Sequence, residues 1–496
     1  MNPSPSTAPG EKAVRTPRQR RATQLYLLIA VEVCERYSFY TMQGILVLYM
    51  TISLDFSEQK AYAEYASFSA LLFLAPIVGG HIADHYLPIR STIILGGLLL
   101  SAGYGLLALP AIDFLYLGLG FVVVGGGLFI PNMAAMVGSL YADDDVGRDA
   151  AFSLFYAGIN VGAFAPLIVA GWIVANHGWS AAFLTAGLAV LLGTAILLFG
   201  WRGGAARHES ARGPIWRAGL RRLPFAATVF ALVILAIFAT SKLMTFAGVT
   251  HTVLILTSLA LVAFFVRLAL VFDRIARNRL LFCLLLTLCS IVYVVLDQQA
   301  AMSLTIFTEY NVQRRIYDFE IPTVSYRALN PLFVILLGPL LAVLWSSLGR
   351  GGITPSVPAK FGIGTMVMGS AFVLLSLAIV GFASSGVISS SWIAGNYFLQ
   401  AAGELLVAPI GLSTIIRLAP ANMTGLMMGT WYFAGAVANT LAGSISQWAA
   451  VPDAANLPHL TAAAYASVFG GLGFGAVAVG VVMVFFARRL NRLAQA

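Results

Sequence analysis

Apolar residues run along this chain in long blocks separated by short polar connections, and it is the length of these blocks that predicts the architecture. A search for apolar runs of at least ~18 residues, enough for a helix to cross a bilayer, gives about fourteen segments. They lie near 24–54, 62–86, 91–112, 115–141, 150–176, 180–201, 223–247, 251–272, 280–310, 324–348, 361–383, 391–418, 424–448 and 462–488. Only helices or closed barrels satisfy their backbone polar groups in lipid, and blocks of this length exclude barrel strands of ~10 residues. The pattern predicts an all-α integral membrane protein. Six spans precede a basic, Gly- and Arg-rich loop (Trp201 to Arg222), two follow, and a second basic connection (Asp273 to Arg279) introduces six more.

Composition agrees with the spans. Of 496 residues, 59% are hydrophobic and 10% charged, whereas soluble proteins carry about 25% charged residues. The formal net charge of +9 comes from Lys and Arg in the N-terminal tail, at Arg202 to Arg222, Arg274 to Arg279, Arg350 to Lys360, Arg417 and Arg488 to Arg492. Threading the spans from an inside N-terminus puts every cluster on the cytoplasmic side, as the positive-inside rule expects, so the charge calls for no nucleic-acid partner. Gln313-Arg314-Arg315 is the main exception. The expected organisation is a disordered cytoplasmic tail (1–23), an N-terminal six-helix bundle (24–201), a linker with two accessory spans (202–279), a C-terminal six-helix bundle (280–488) and a cytoplasmic tail (489–496). Cys34, Cys283 and Cys289 fall inside apolar segments and read as small buried hydrophobes, not as a disulfide framework. No Ser/His/Asp or metal-ligand cluster lies within the spans, and His81 and His85, four apart at a span's end, have no acidic support. The reading is therefore of a non-enzyme without cofactor or metal.

Candidate chemistry sits where charge interrupts the spans. Glu32, Glu35 and Arg36 stand inside the first, where one charge at the centre costs roughly 2.5–3.5 kcal/mol on insertion scales. Their spacing puts them near one helical face, which continues through Phe39 or Tyr40 to Gln43. One acid and one base would serve as a packing ion pair; an unmatched second acid points to a proton or substrate site. Asp297 lies deep in the ninth span, followed by Gln298 and Gln299, and Glu404 is near the middle of 391–418. Asn160 stands between Gly158 and Gly162, a small-x-x-x-small pair whose simplest role is close helix packing. Asn330-Pro331 breaks the tenth span beside a polar side chain.

Two six-span halves are the layout of the major facilitator superfamily, whose substrate site lies between the halves, and Gly79-Gly80-His81-Ile82-Ala83-Asp84 with Arg90 resembles its loop motif, Pro88 standing where glycine is usual. Glu32-x-x-Glu35-Arg36-Tyr37-Ser38-Phe39-Tyr40 resembles the first-helix motif of the proton-dependent oligopeptide transporter family. Phe152 to Phe164, Leu329-Asn330-Pro331-Leu332-Phe333 and Gly403-Glu404-Leu405 resemble three further motifs of that family, in the same order. The resemblance implies a major facilitator fold of two six-helix bundles plus two accessory helices in a bacterial inner membrane, both termini cytoplasmic, importing di- and tripeptides with protons by alternating access. It implies that Glu32, Glu35, Arg36 and Asp297 couple protons, that Asn160, Asn330 and Glu404 contact the peptide's amino-terminal side or backbone, and that Tyr40 and Trp431 line side-chain pockets. The chain departs from the family at three cavity positions: Ile130 stands where a lysine is usual, Gln43 where a second arginine is common, and Phe73 where a tyrosine is common. Four acids (Glu32, Glu35, Asp297, Glu404) then face Arg36 alone, and a low-dielectric site cannot keep three uncompensated charges ionised. Arg327 either points inward and supplies the missing charge or snorkels at the span's outer end. The alternatives are a neutral or cationic non-peptide solute, and a transporter-derived sensor with impaired coupling.

Overall fold

The computed structural model describes residues 17–141, 147–201, 223–352, 355–382, 385–419, 423–451 and 457–495. The first sixteen residues of the expected tail and the basic loop 202–222 lie outside the described residues. Residues 17–23, expected to be disordered, are instead the start of the first helix, α1 (Pro17–Leu48), which runs into one π-helical turn, Tyr49–Ser53. The N-terminal bundle continues with α2 (Glu58–His85), α3 (Ile89–Leu107), α4 (Ile112–Gly138) and a helical stretch, Gly147–Gly200. That stretch is broken at Gly178, whose φ of 80° is open to glycine at no steric penalty. It therefore comprises α5 (147–177) and α6 (179–200), two spans joined by a single residue.

The accessory pair is α7 (Leu223–Thr245) and α8 (Ala247–Val271). The C-terminal bundle holds α9 (Arg274–Gln298), a 3₁₀ turn (Gln299–Ala301), α10 (Ser303–Asn311), α11 (Thr323–Tyr326), α12 (Leu329–Arg350), α13 (Val357–Phe382), α14 (Ser390–Leu418), α15 (Thr424–Ala449) and α16 (Pro458–Gln495). Among the described residues, eleven helical segments, three of them joined pairs, are long and apolar enough to cross a membrane.

The ninth span is not the continuous helix expected, and the tenth, expected to break at Asn330-Pro331, breaks a few residues earlier. Each is interrupted, after Gln298 and at Arg327-Ala328, and both breaks lie beside the central cavity. Nor is the chain wholly helical. Val312–Gln313 pairs in parallel with Ile388–Ser389, and Arg315–Ile316 pairs antiparallel with Phe319–Glu320. This small hairpin explains the exception to the charge pattern: Arg314 is paired with Glu309 at 2.9 Å and Glu320 at 3.0 Å, so its positive charge is locally neutralised.

Within each half the most extensive helix packing is of α1 against the α5–α6 stretch and of α13 against α16, and the halves meet chiefly through α2 and α15. The α1–α5 crossing depends on glycines: a Cβ on Gly158 would stand 2.8 Å from Ile29 Cγ2, and one on Gly162 would stand 2.7 Å from Arg36 Cβ. The packing role read from their spacing is the one they play. The accessory helices lie on the outside, α7 against α4 and α8 against both halves, with Leu235, Leu256 and Leu270 exposed. In a bilayer those faces meet lipid.

Candidate substrate and proton site

Between the halves lies a cavity of about 370 Å³, within the ~300–1,000 Å³ range of small-molecule sites. Its walls come from α1, α2, α4, α5, α9, the α11–α12 break, α14 and α15, and no residue of α7 or α8 contributes. Of the residues expected from the sequence, Arg36, Tyr40, Gln43, Phe73, Ile130, Asp297, Arg327, Asn330 and Glu404 line it.

The first-helix triad forms one unit. Arg36 Nε lies 2.6 Å from Glu35 Oε2 and 3.2 Å from Glu32 Oε1, with both carboxylates buried. Spacing of one turn brings Glu32 under Arg36, and α5 packs closely on the Arg36 stem at Gly162. The guanidinium also sits 5.3 Å from the centroid of the Phe39 ring, a geometry in which cation and π-face attract. Two acids against one base leave one negative charge in excess, and Glu32 Oε2 and Arg36 Nη2 are buried without a hydrogen-bond partner. A buried carboxylate oxygen without a donor is unfavourable by about 1–3 kcal/mol or more, and more so while charged, so a proton on the pair removes the excess negative charge. Glu32 and Glu35 themselves do not line the cavity; Arg36 stands between them and it.

On the opposite wall, Asn330 Nδ2 donates to Glu404 Oε2 at 3.2 Å, and Gln298 Nε2 donates to Asp297 Oδ2 at 3.3 Å. Asp297 and Glu404 are near enough for their charges to interact. The helix break after Asp297 is held by Gln299, fully buried, whose Nε2 donates to Val295 O (3.2 Å) and Ala442 O (3.3 Å) while its Oε1 accepts from Ser446 Oγ (2.9 Å) and from Ser303 Oγ. These bonds tie the broken ninth span to α15 within the C-terminal half and so fix the position of Asp297. Arg327, only 8% exposed, points inward: Nη1 donates to Gln43 O at 2.7 Å and Nη2 to Gln43 Oε1 at 3.2 Å. Of the two positions open to it on the sequence, it takes the cavity.

Two expected residues are not brought to the cavity. Asn160 Nδ2 donates to Tyr156 O at 2.9 Å, one turn back on its own helix, and is not among the lining residues. Trp431 packs into the C-terminal core, its ring 2.6 Å from where a Cβ on Gly411 would stand, and its neighbour Tyr432 lines the cavity instead. Consecutive helical residues point about 100° apart, so a one-residue misassignment exchanges core for cavity. Sequence reasoning missed Tyr293, Tyr397, Leu72, Pro76 and Leu167, while Phe39, read on the Arg36 face, and Pro331, read as the helix breaker, also line the cavity. Two of the missed residues carried a usable signal: Tyr293 is four residues from Asp297 and Tyr397 seven from Glu404, the spacings of one helical face. Ile130 and Phe73 make that part of the wall apolar, and the Phe73 ring reaches across the halves to α15, within 2.5 Å of where a Cβ on Gly435 would stand.

At the end of the halves formed by the start of α2, Tyr62 Oη and Tyr465 Oη are 3.4 Å apart and Tyr465 Oη donates to Glu58 Oε2 at 3.4 Å. This bridge joins the two halves, and all three residues are buried.

Comparison with known proteins places this geometry. The sequence model of the POT family matches residues 90–465. Dipeptide and tripeptide permease A of Enterobacter sp. (strain 638) is 31% identical over 489 residues, covering 98% of this chain and 95% of the relative, and that of Escherichia coli (strain K12) is 30% identical over 472 residues, covering 95% and 93%. A solved structure described as giving insights into substrate recognition in proton dependent oligopeptide transporters superposes with a TM-score of 0.82 at 28% identity, over 95% of this chain and 99% of that one. A peptide transporter crystallised with alafosfalin superposes with a TM-score of 0.82 at 26% identity, over 97% and 99%. A match over most of the chain, with relatives aligned nearly end to end, makes this chain an integral membrane transporter of the POT family.

Proposed function

We propose that this protein is a proton-coupled symporter that imports di- and tripeptides or peptide-like solutes across a bacterial inner membrane, with both termini in the cytoplasm. The observation that carries the reading is the buried Glu32–Glu35–Arg36 unit opening through Arg36 onto a cavity whose far wall holds Asp297 and Glu404. A membrane-embedded acid in excess of its bases is a proton site by default. With a proton on Glu32 or Glu35 the unit is neutral and can pass through an occluded, low-dielectric state; without it the unit carries one negative charge, which favours the open, hydrated state. Asp297, on a broken helix that Gln299 ties to α15 of the same half, is the second proton site. Glu404, with Asn330 holding one of its oxygens, receives the peptide's ammonium, and Tyr40, Phe73, Ile130 and Tyr432 give the apolar wall for side chains. Substrate and protons enter one cavity, so the two loads bias the same rearrangement of the halves. Nothing in this scheme calls for a cofactor.

Purified protein in liposomes, given dialanine under an imposed pH gradient (inside alkaline), should accumulate it above the external concentration and lose the accumulation on adding a protonophore. Accumulation unaffected by the protonophore would exclude proton coupling. For the topology, thiol labelling of a cysteine placed in 202–222 should succeed only from the cytoplasmic side.

A further inference from the structure

Two cations line the cavity, and they differ in commitment. Arg36 is paired with two carboxylates. Arg327 has no ion pair among the described residues: its hydrogen bonds go to the carbonyl and side-chain oxygens of Gln43, both neutral. A guanidinium carries five N–H donors in a rigid fork that matches a carboxylate, so the two bonds to Gln43 fix its orientation and leave donors over. Asp297 is near enough to interact with it but is hydrogen-bonded by Gln298 instead. A positive charge buried to 8% exposure without a partner ion is unfavourable, and an anion entering the cavity relieves it.

Resting on the symport reading above, we propose that Arg327 is the anchor for the substrate's terminal carboxylate, oriented by Gln43. An extended dipeptide spans about 7 Å, and Arg327 stands three residues before Asn330, the partner of Glu404, so one segment at the α11–α12 break presents the grips for both ends. The carboxylate is held by the C-terminal half, while the N-terminal half contributes the apolar wall at Ile130 and the neutral amide of Gln43. The pair is also exchangeable: because the two side chains touch, an arginine on position 43 reaches the same region from α1.

The test is counterflow of labelled dialanine in liposomes, competed by dialanine and by its C-terminal amide, in the parent, Arg327→Gln, Arg327→Lys and the exchange variant Gln43→Arg/Arg327→Gln. The parent should prefer the acid by at least about tenfold. Arg327→Gln should lose that preference by weakening the acid while leaving the amide's competition in place, Arg327→Lys should retain part of it, and the exchange variant should regain it. An acid preference that persists in Arg327→Gln, or a parent that does not distinguish acid from amide, overturns the proposal. Should Arg327→Gln fail to fold, the exchange variant decides: folded protein without acid preference also overturns it. Absence of any dialanine counterflow in the parent would sink the peptide reading itself, a result distinct from counterflow with the wrong end-group preference.

Discussion

Glu404→Gln isolates the charge at the amino-terminal end of the substrate. The change is isosteric, and Asn330 Nδ2, now 3.2 Å from Glu404 Oε2, can still donate to the new amide oxygen, so the cavity keeps its shape. What is removed is the attraction between a carboxylate and an ammonium in a partly buried site. Hydrogen bonds to charged groups are worth about 1.5–3 kcal/mol, and at 1.4 kcal/mol per tenfold this predicts an affinity loss between about tenfold and about a hundredfold. The assay is counterflow competition by dialanine and by N-acetyl-dialanine, which lacks the ammonium. The parent should favour the free amine, and Glu404→Gln should weaken dialanine by the stated factor while changing the acetylated competitor less than about threefold. Equal losses for the two competitors would mean that Glu404 shapes the cavity without reading the ammonium, and no loss for either would remove Glu404 from the binding site.

Gln299→Leu should lower the unfolding midpoint of the purified protein, because it strips partners from Ala442 O and from the Ser303 and Ser446 hydroxyls; at about 1–3 kcal/mol for each unsatisfied buried group the loss is several kcal/mol, and an unchanged midpoint would show that the break is held by other bonds. Tyr465→Phe, which removes the bridge to Tyr62 and Glu58, should loosen the closed end of the halves. In a background lacking the native cysteines, a cysteine at the buried Ala66 should then label faster with a membrane-impermeant thiol reagent, and an unchanged rate would show that the α2–α15 packing closes that end without the bridge.

Much of the fold was legible because bilayer length is a strong constraint: each of the fourteen apolar blocks is met by helix in the described residues, and the charges interrupting them mark the cavity walls. The misreadings have local causes. Nothing in Gln299-Ala300-Ala301 breaks a helix by propensity; the interruption exists because Gln299 bonds to α15, a partner far away in sequence. Arg327 could not be placed from its position near a span's end, since the choice between interface and cavity is made by the α11–α12 break and by Gln43 on α1. Asn160 looked like a substrate ligand because a mid-span amide needs a partner, yet its own helix supplies one at Tyr156 O. Trp431 was assigned by family position, and the cavity took the next residue, Tyr432.

Proton coupling runs through the first-helix unit, and Glu35→Gln strikes it at its tightest contact, Glu35 Oε2 to Arg36 Nε at 2.6 Å. In liposomes carrying this variant, dialanine accumulation driven by a pH gradient should be abolished while counterflow of dialanine down its own gradient persists. Full gradient-driven accumulation in Glu35→Gln would show that protons do not couple through this unit.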